Sequence, residues 1–218
     1  MCGRYTLFTD EEYKEIRKII KDIEADVAKN IINMKTGEIF PTNIVPVLTK
    51  DENNKKTVNL FKWGFPNFKE QSGVIINARG ETLEEKQTFK RILHSKRCLI
   101  PTTGFYEWKT IGKNKHKYLI RPDNSNFFYM AGLYNTYTDK CGELYTSFVI
   151  ITTEANKEMS EIHNRMPVLF TSEEEYEGWT DNSLSKLPEI KAYIHPFEHK
   201  LTLENISNQL EFNSILEE

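Results

Sequence analysis

Leu144-Tyr145-Thr146-Ser147-Phe148-Val149-Ile150-Ile151-Thr152 is the stretch that decides the fold. Aromatic and β-branched residues fit a pleated, half-buried backbone, so the run reads as a strand. Shorter runs of similar texture precede it at Cys98–Ile100, Phe105–Lys109, Lys117–Arg121 and Phe127–Leu133, and Pro167–Phe170 follows. Further upstream, Ile44–Thr49 and Thr57–Trp63 flank the polar turn Asp51–Lys56, which predicts a hairpin. Helical signals are sparser. Thr9-Asp10-Glu11-Glu12 reads as a capping box that opens a stripe of Tyr13, Ile16, Ile19, Ile20 and Ile23. Thr82-Leu83-Glu84-Glu85 reads as a second box before Phe89, Ile92 and Leu93, and Ser172–Trp179 as another capped helix. A short helix is expected over Ala155–Ile162. Many strands with few helices predict an α+β fold: an antiparallel, barrel-like sheet with flanking short helices. No linker or repeat interrupts the chain, so residues 1–218 read as one domain.

Composition narrows the function classes. Hydrophobic content of 39% and charged content of 28% are those of a globular chain. No apolar run is long enough to span a bilayer, and Met1-Cys2-Gly3-Arg4-Tyr5 lacks the apolar core of a signal peptide. Cys2, Cys98 and Cys141 form an odd set without metal-ligand spacing, which predicts reduced thiols in a cytoplasmic setting and no metal. A net charge of −3 gives no global attraction to nucleic acid, so any DNA contact must be a local basic patch.

Cys2 is chemically distinctive. Removal of Met1, the usual fate before a small residue, would leave one residue carrying both an α-amine and a thiol. Their reference pKa values lie near 8 and 8.5, so each is partly nucleophilic at neutral pH. A 1,2-aminothiol can take an aldehyde through a Schiff base and close it to a thiazolidine.

Other motifs carry their own chemistry. Ile75-Ile76-Asn77-Ala78-Arg79-Gly80-Glu81-Thr82 sets an amide, a guanidinium and a carboxylate between a strand end and a helix start, where backbone N–H groups favour an anion. In Gly104-Phe105-Tyr106-Glu107-Trp108, Glu107 shares a strand face with Phe105. A carboxylate among aromatics is expected to be partly desolvated, with a raised pKa suited to proton transfer. His163, in Glu161-Ile162-His163-Asn164-Arg165-Met166-Pro167, is the natural proton carrier near neutral pH. Taken singly, each motif also fits a plainer role: local capping, a solvent-facing Glu107, a structural His163, an incidental Cys2, and a core position for Trp63.

Together, in order, these segments resemble a known family. Met1-Cys2-Gly3-Arg4-Tyr5, Pro41-Thr42-Asn43-Ile44-Val45-Pro46, Trp63-Gly64-Phe65, Asn77–Thr82, Gly104–Trp108 and His163–Pro167 are similar to the motifs of SRAP proteins, named for "SOS response-associated peptidase". The resemblance runs from Met1 to about Phe170. It implies binding to abasic sites in single-stranded DNA and a covalent link through Cys2, with no cofactor, as a monomer associated with a bacterial nucleoid. It assigns Schiff-base and ring-closing chemistry to Cys2, positioning to Asn77, proton transfer to Glu107 and His163, phosphate contacts to Arg4, Arg79 and Arg165, and base contacts to Trp63 and Phe68. Lys90 and Arg91 are candidates for peripheral contacts, with a merely solvated role the default for such a helix-face lysine. Pro66-Asn67-Phe68 departs from a longer family stretch at the expected base-stacking wedge. Gln87 stands near a position that is basic in many relatives, and the chain beyond about residue 171 matches least. Two other readings stay open: a cysteine peptidase using Cys2, His163 and Asn77, and a non-covalent DNA-binding module.

Overall fold

Alternation of side chains along its strands explains how this chain buries so much β-structure. In the strand that carries Leu144–Thr152, Phe148 and Ile150 enter one apolar cluster while Val149 and Ile151 enter another. Both faces are therefore buried, which is why the run is apolar without alternation. The computed structural model describes residues 2–7, 35–51, 53–68 and 73–207. The amphipathic helix expected over 9–23 lies outside the described residues, as does the acidic end over 215–218.

The strands are β1 (Arg4–Leu7), β2 (Gly37–Ile39), β3 (Ile44–Lys50), β4 (Lys56–Trp63), β5 (Phe65–Pro66), β6 (Val74–Ile75), β7 (Asn77–Arg79), β8 (Arg97–Thr102), β9 (Gly104–Ile111), β10 (Asn114–Pro122), β11 (Phe128–Thr138), β12 (Leu144–Glu154), β13 (Arg165–Pro167), β14 (Leu169–Phe170) and β15 (Leu201–Asn205). Short helices lie at α1 (Gln87–Lys90), α2 (Glu173–Trp179) and α3 (Leu187–Lys191).

One sheet closes on itself. β12 pairs with β4, β4 with β3, β3 with β8, β8 with β11, and β11 returns to β12. A second sheet, in the order β15-β10-β9-β1-β2, is antiparallel throughout. The expected barrel-like α+β architecture is present. Its ladders are antiparallel except where β12 meets β4 and β7 in parallel. The predicted hairpin is β3–β4, with Lys50 opposite Lys56.

Two helices differ from expectation. The Thr82 capping box does not form: Gly80–Thr82 is a 3-10 turn, and α1 starts at Gln87 without a side-chain cap. Phe89, Ile92 and Leu93 are buried as expected, but short turns carry them rather than one long helix. Over Ala155–Ile162 only a 3-10 turn at Met159–Glu161 appears. By contrast, Ser172 caps α2 with the full reciprocal box to Glu175, as the sequence predicts.

Candidate functional site

Cys2 lies just ahead of β1, which pairs with β9 so that Arg4 faces Tyr106. This register sends Phe105 and Glu107 of β9 into the core and leaves Glu107 only 4% exposed. Cys2 is itself fully buried, in the cluster that contains Phe105 and Trp63. Its Sγ donates to the Arg4 carbonyl at 3.5 Å. Burial pushes the thiol far up from its ordinary value, and the Glu107 carboxylate adds to the rise. The thiol is therefore neutral at physiological pH. Tyr5 is raised as well, by burial first and by its nearness to Cys2 second.

Asn77 opens β7, and its Nδ2 donates to the Cys2 carbonyl at 2.9 Å. Its Oδ1 is buried with no hydrogen-bond partner among the described residues. The turn that leads there requires Gly64. Its φ is +112°, and a Cβ would lie 2.8 Å from Val74, so a side chain would force β5 away from β6.

Two residues beyond Asn77, Arg79 is exposed at the rim of a cavity of about 650 Å³. His163, Ser160, Asn164, Arg165 and Glu154 complete most of its lining. His163 Nδ1 accepts the Arg165 backbone N–H at 3.0 Å, which places the neutral ring's proton on Nε2. Arg165 is clamped: Glu81 takes its guanidinium bidentately at 2.8 and 2.9 Å, and the Thr152 carbonyl accepts from Nη2 at 2.7 Å. Glu81 is held below the ordinary carboxylate range: burial opposes this, but the Arg165 hydrogen bonds prevail.

The structure sorts the sequence-predicted residues. It gathers Cys2, Asn77 and Glu107 in one centre, and Arg79, His163 and Arg165 around a cavity whose lining includes none of those three. Trp63 is corrected from a base-stacking residue to a core residue. It has no exposed surface, and its ring sits edge-on to Tyr5 and stacked on Phe148. Phe68 is 84% exposed and lines a groove with Gln87, Arg91 and Tyr137. Lys90 is exposed but is not part of that lining.

Arg4 points elsewhere. It pairs with Glu38 at 3.1 Å and lies over the rings of Phe40 and Trp108. Glu38 also takes Lys117 at 2.8 Å. Sequence reasoning passed over Glu38, Thr152 and the Glu81–Arg165 clamp. Only the nearness of Glu81 to Arg79 in one motif hinted at a local ion pair.

Fold and site define a class: a β-barrel protein whose cysteine at position 2 is buried against an amide and a carboxylate. Residues 1–212 match the model of the family described as SOS response associated peptidase (SRAP), and the chain belongs to that family. Abasic site processing protein YoqW of Bacillus subtilis (strain 168) is 34% identical over 210 residues, covering 91% of this chain and 88% of that one. Abasic site processing protein HMCES of Gallus gallus is 31% identical over 143 residues, 56% of this chain and 43% of that protein. A crystal structure of a protein from Bacteroides thetaiotaomicron superposes with a TM-score of 0.80 at 28% identity, covering 97% of this chain and 94% of that one.

Proposed function

We propose that this protein binds abasic sites in single-stranded DNA and, once Met1 is removed, joins Cys2 to the sugar aldehyde as a thiazolidine that shields the lesion. The observation that carries the reading is the Asn77 amide held against the Cys2 carbonyl, with a buried Oδ1 that has no hydrogen-bond partner among the described residues. That oxygen is an acceptor for the amine or for a hydroxyl of the sugar. YoqW and HMCES, both named abasic site processing proteins, support DNA with abasic sites as the target.

The buried, neutral thiol orders the chemistry. The α-amine, with a reference pKa near 8, is the first nucleophile. It adds to the C1′ aldehyde and the carbinolamine loses water to give an imine. The thiol then adds across C=N: sulfur bonds to C1′, its proton leaves and the nitrogen gains one. Glu107 accepts the sulfur proton, His163 serves the Schiff-base stage, and Arg79 and Arg165 hold flanking phosphate. Such a covalent product is useful because it is stable. The peptidase reading needs an ionised thiol beside a free histidine base. Here burial raises the thiol, which opposes the ionised form such an enzyme needs.

The test is intact-mass spectrometry of Met1-free protein, incubated with a uracil oligonucleotide pretreated with uracil-DNA glycosylase. The expected product survives denaturation and carries the oligonucleotide mass less one water. Absence of that product, or a stable adduct undiminished in Cys2→Ala, overturns the proposal.

A further inference from the structure

We infer that Trp63 is a positioning residue for the Cys2 centre, acting through the Ile76 carbonyl on Asn77. The inference rests on the proposed crosslinking reading and adds to it a residue that never touches DNA.

The Trp63 Nε1–H donates to the Ile76 carbonyl at 3.1 Å. The same oxygen accepts the backbone N–H of Ile150 on β12, also at 3.1 Å. Both lone pairs are thus occupied, and the Ile76–Asn77 peptide plane is fixed from two sides. A planar peptide transmits its orientation directly to the next Cα. That Cα belongs to Asn77, whose amide holds the Cys2 carbonyl at 2.9 Å.

Trp63 is rigid in its turn. Its backbone N–H donates to Asn43 and its carbonyl accepts from Thr42, at 2.9 and 2.8 Å. Its ring lies edge-on to Tyr5 at 5.2 Å between centroids, and stacks on Phe148 at 6.4 Å. Tyr5 follows Cys2 by three positions in the chain. The contacts therefore form a loop, from Tyr5 to the indole, to Ile76, to Asn77 and back to Cys2. A filler of the core needs only the ring. The indole N–H is an extra, directional element, and it is aimed at the peptide that carries Asn77.

The test uses Met1-free protein and single-turnover crosslinking to an abasic oligonucleotide. Variants are Trp63→Phe, Asn77→Ala and the double substitution. A parallel protein carries benzothienylalanine at position 63, an indole isostere in which sulfur replaces the N–H. Non-covalent affinity is read separately with an oligonucleotide bearing a tetrahydrofuran abasic analogue, which has no aldehyde. Losing one net hydrogen bond predicts about fivefold slower crosslinking for both position-63 variants, with affinity for the analogue unchanged. Because Trp63 acts through Asn77, the double variant should be no slower than Asn77→Ala.

Wild-type crosslinking rates with the isostere overturn the inference, as does a double variant slowed by the product of the single effects. The isostere keeps the ring volume, so it decides the question even where Trp63→Phe packs poorly. Failure of the wild-type protein to crosslink at all refutes the underlying reading instead, and is seen before any variant is made.

Discussion

Replacing Glu107 with Gln separates two opposite influences of this carboxylate on Cys2. Its charge helps to raise the thiol, second to burial, so Glu107→Gln lowers the thiol pKa. Each unit of that fall gives about tenfold more thiolate at a fixed pH below the pKa. If thiolate supply governed ring closure, the variant would be faster. Under the proposed chemistry the carboxylate also accepts the sulfur proton, a role worth on the order of 10²–10⁴-fold. Burial, the larger cause of the raised thiol, is untouched by the substitution, so the thiol stays raised and the gain in thiolate is the lesser effect. The net expectation is a loss in crosslinking rate of at most roughly 10²–10⁴-fold. The assay is single-turnover reaction of Met1-free protein with an abasic oligonucleotide, stopped in denaturant and resolved on a denaturing gel. Run as a pH series, the wild-type rate should climb as the α-amine loses its proton and level off above about pH 8. A Glu107→Gln protein as fast as wild type, or faster, refutes the proton-acceptor role.

Three further outcomes are expected. Arg97 is 3% exposed and donates to the carbonyls of Trp179, Leu93 and Asp181 at 2.7, 2.8 and 2.5 Å. Arg97→Leu strands those acceptors and should cost about 3–5 kcal/mol in urea denaturation. Phe68→Ala should weaken single-stranded DNA binding by roughly 1–3 kcal/mol in fluorescence anisotropy while leaving the thermal midpoint unchanged, because the ring is exposed. Glu81 is depressed in the folded state, so its contribution is present above the unfolded carboxylate value near 4.3 and lost as pH falls through the lower folded value. Glu81→Gln should therefore lower stability slightly at pH 7, by about 0–1 kcal/mol because the carboxylate side of the pair is exposed, and the difference should shrink in acid.

Much of the sheet was legible because its signals are local. The turn over 51–56 pairs β3 with β4, and Ser172 with Glu175 writes its own helix start. Residue chemistry alone left Cys2, Asn77, Glu107 and His163 each with a plainer role, and only the ordered set of motifs singled them out. What could not be read is what depends on which distant strands meet. The parallel contacts of β12 with β4 and β7 leave no mark in either segment, since parallel and antiparallel strands use the same side chains. Trp63 illustrates the same limit. An aromatic at a strand end can face a nucleobase or the core, and only closure of the barrel decided for the core. Thr82 failed as a helix cap because Gly80–Thr82 tightens into a 3-10 turn and Lys86, not Thr82, occupies the N-cap of α1.

β12 takes β11, β4, β7 and β13 as partners, and it begins only at Leu144. Phe148 and Ile150 of that strand belong to the apolar cluster that buries Cys2, so the cluster is incomplete until β12 has been made. At roughly 5–20 residues per second, a ribosome needs roughly 7–30 s to reach that strand. Throughout that interval Cys2 lacks part of the apolar surroundings that bury it in the folded protein. An early segment is thus sealed by a much later one, and burial of Cys2 is among the late events in the barrel's assembly.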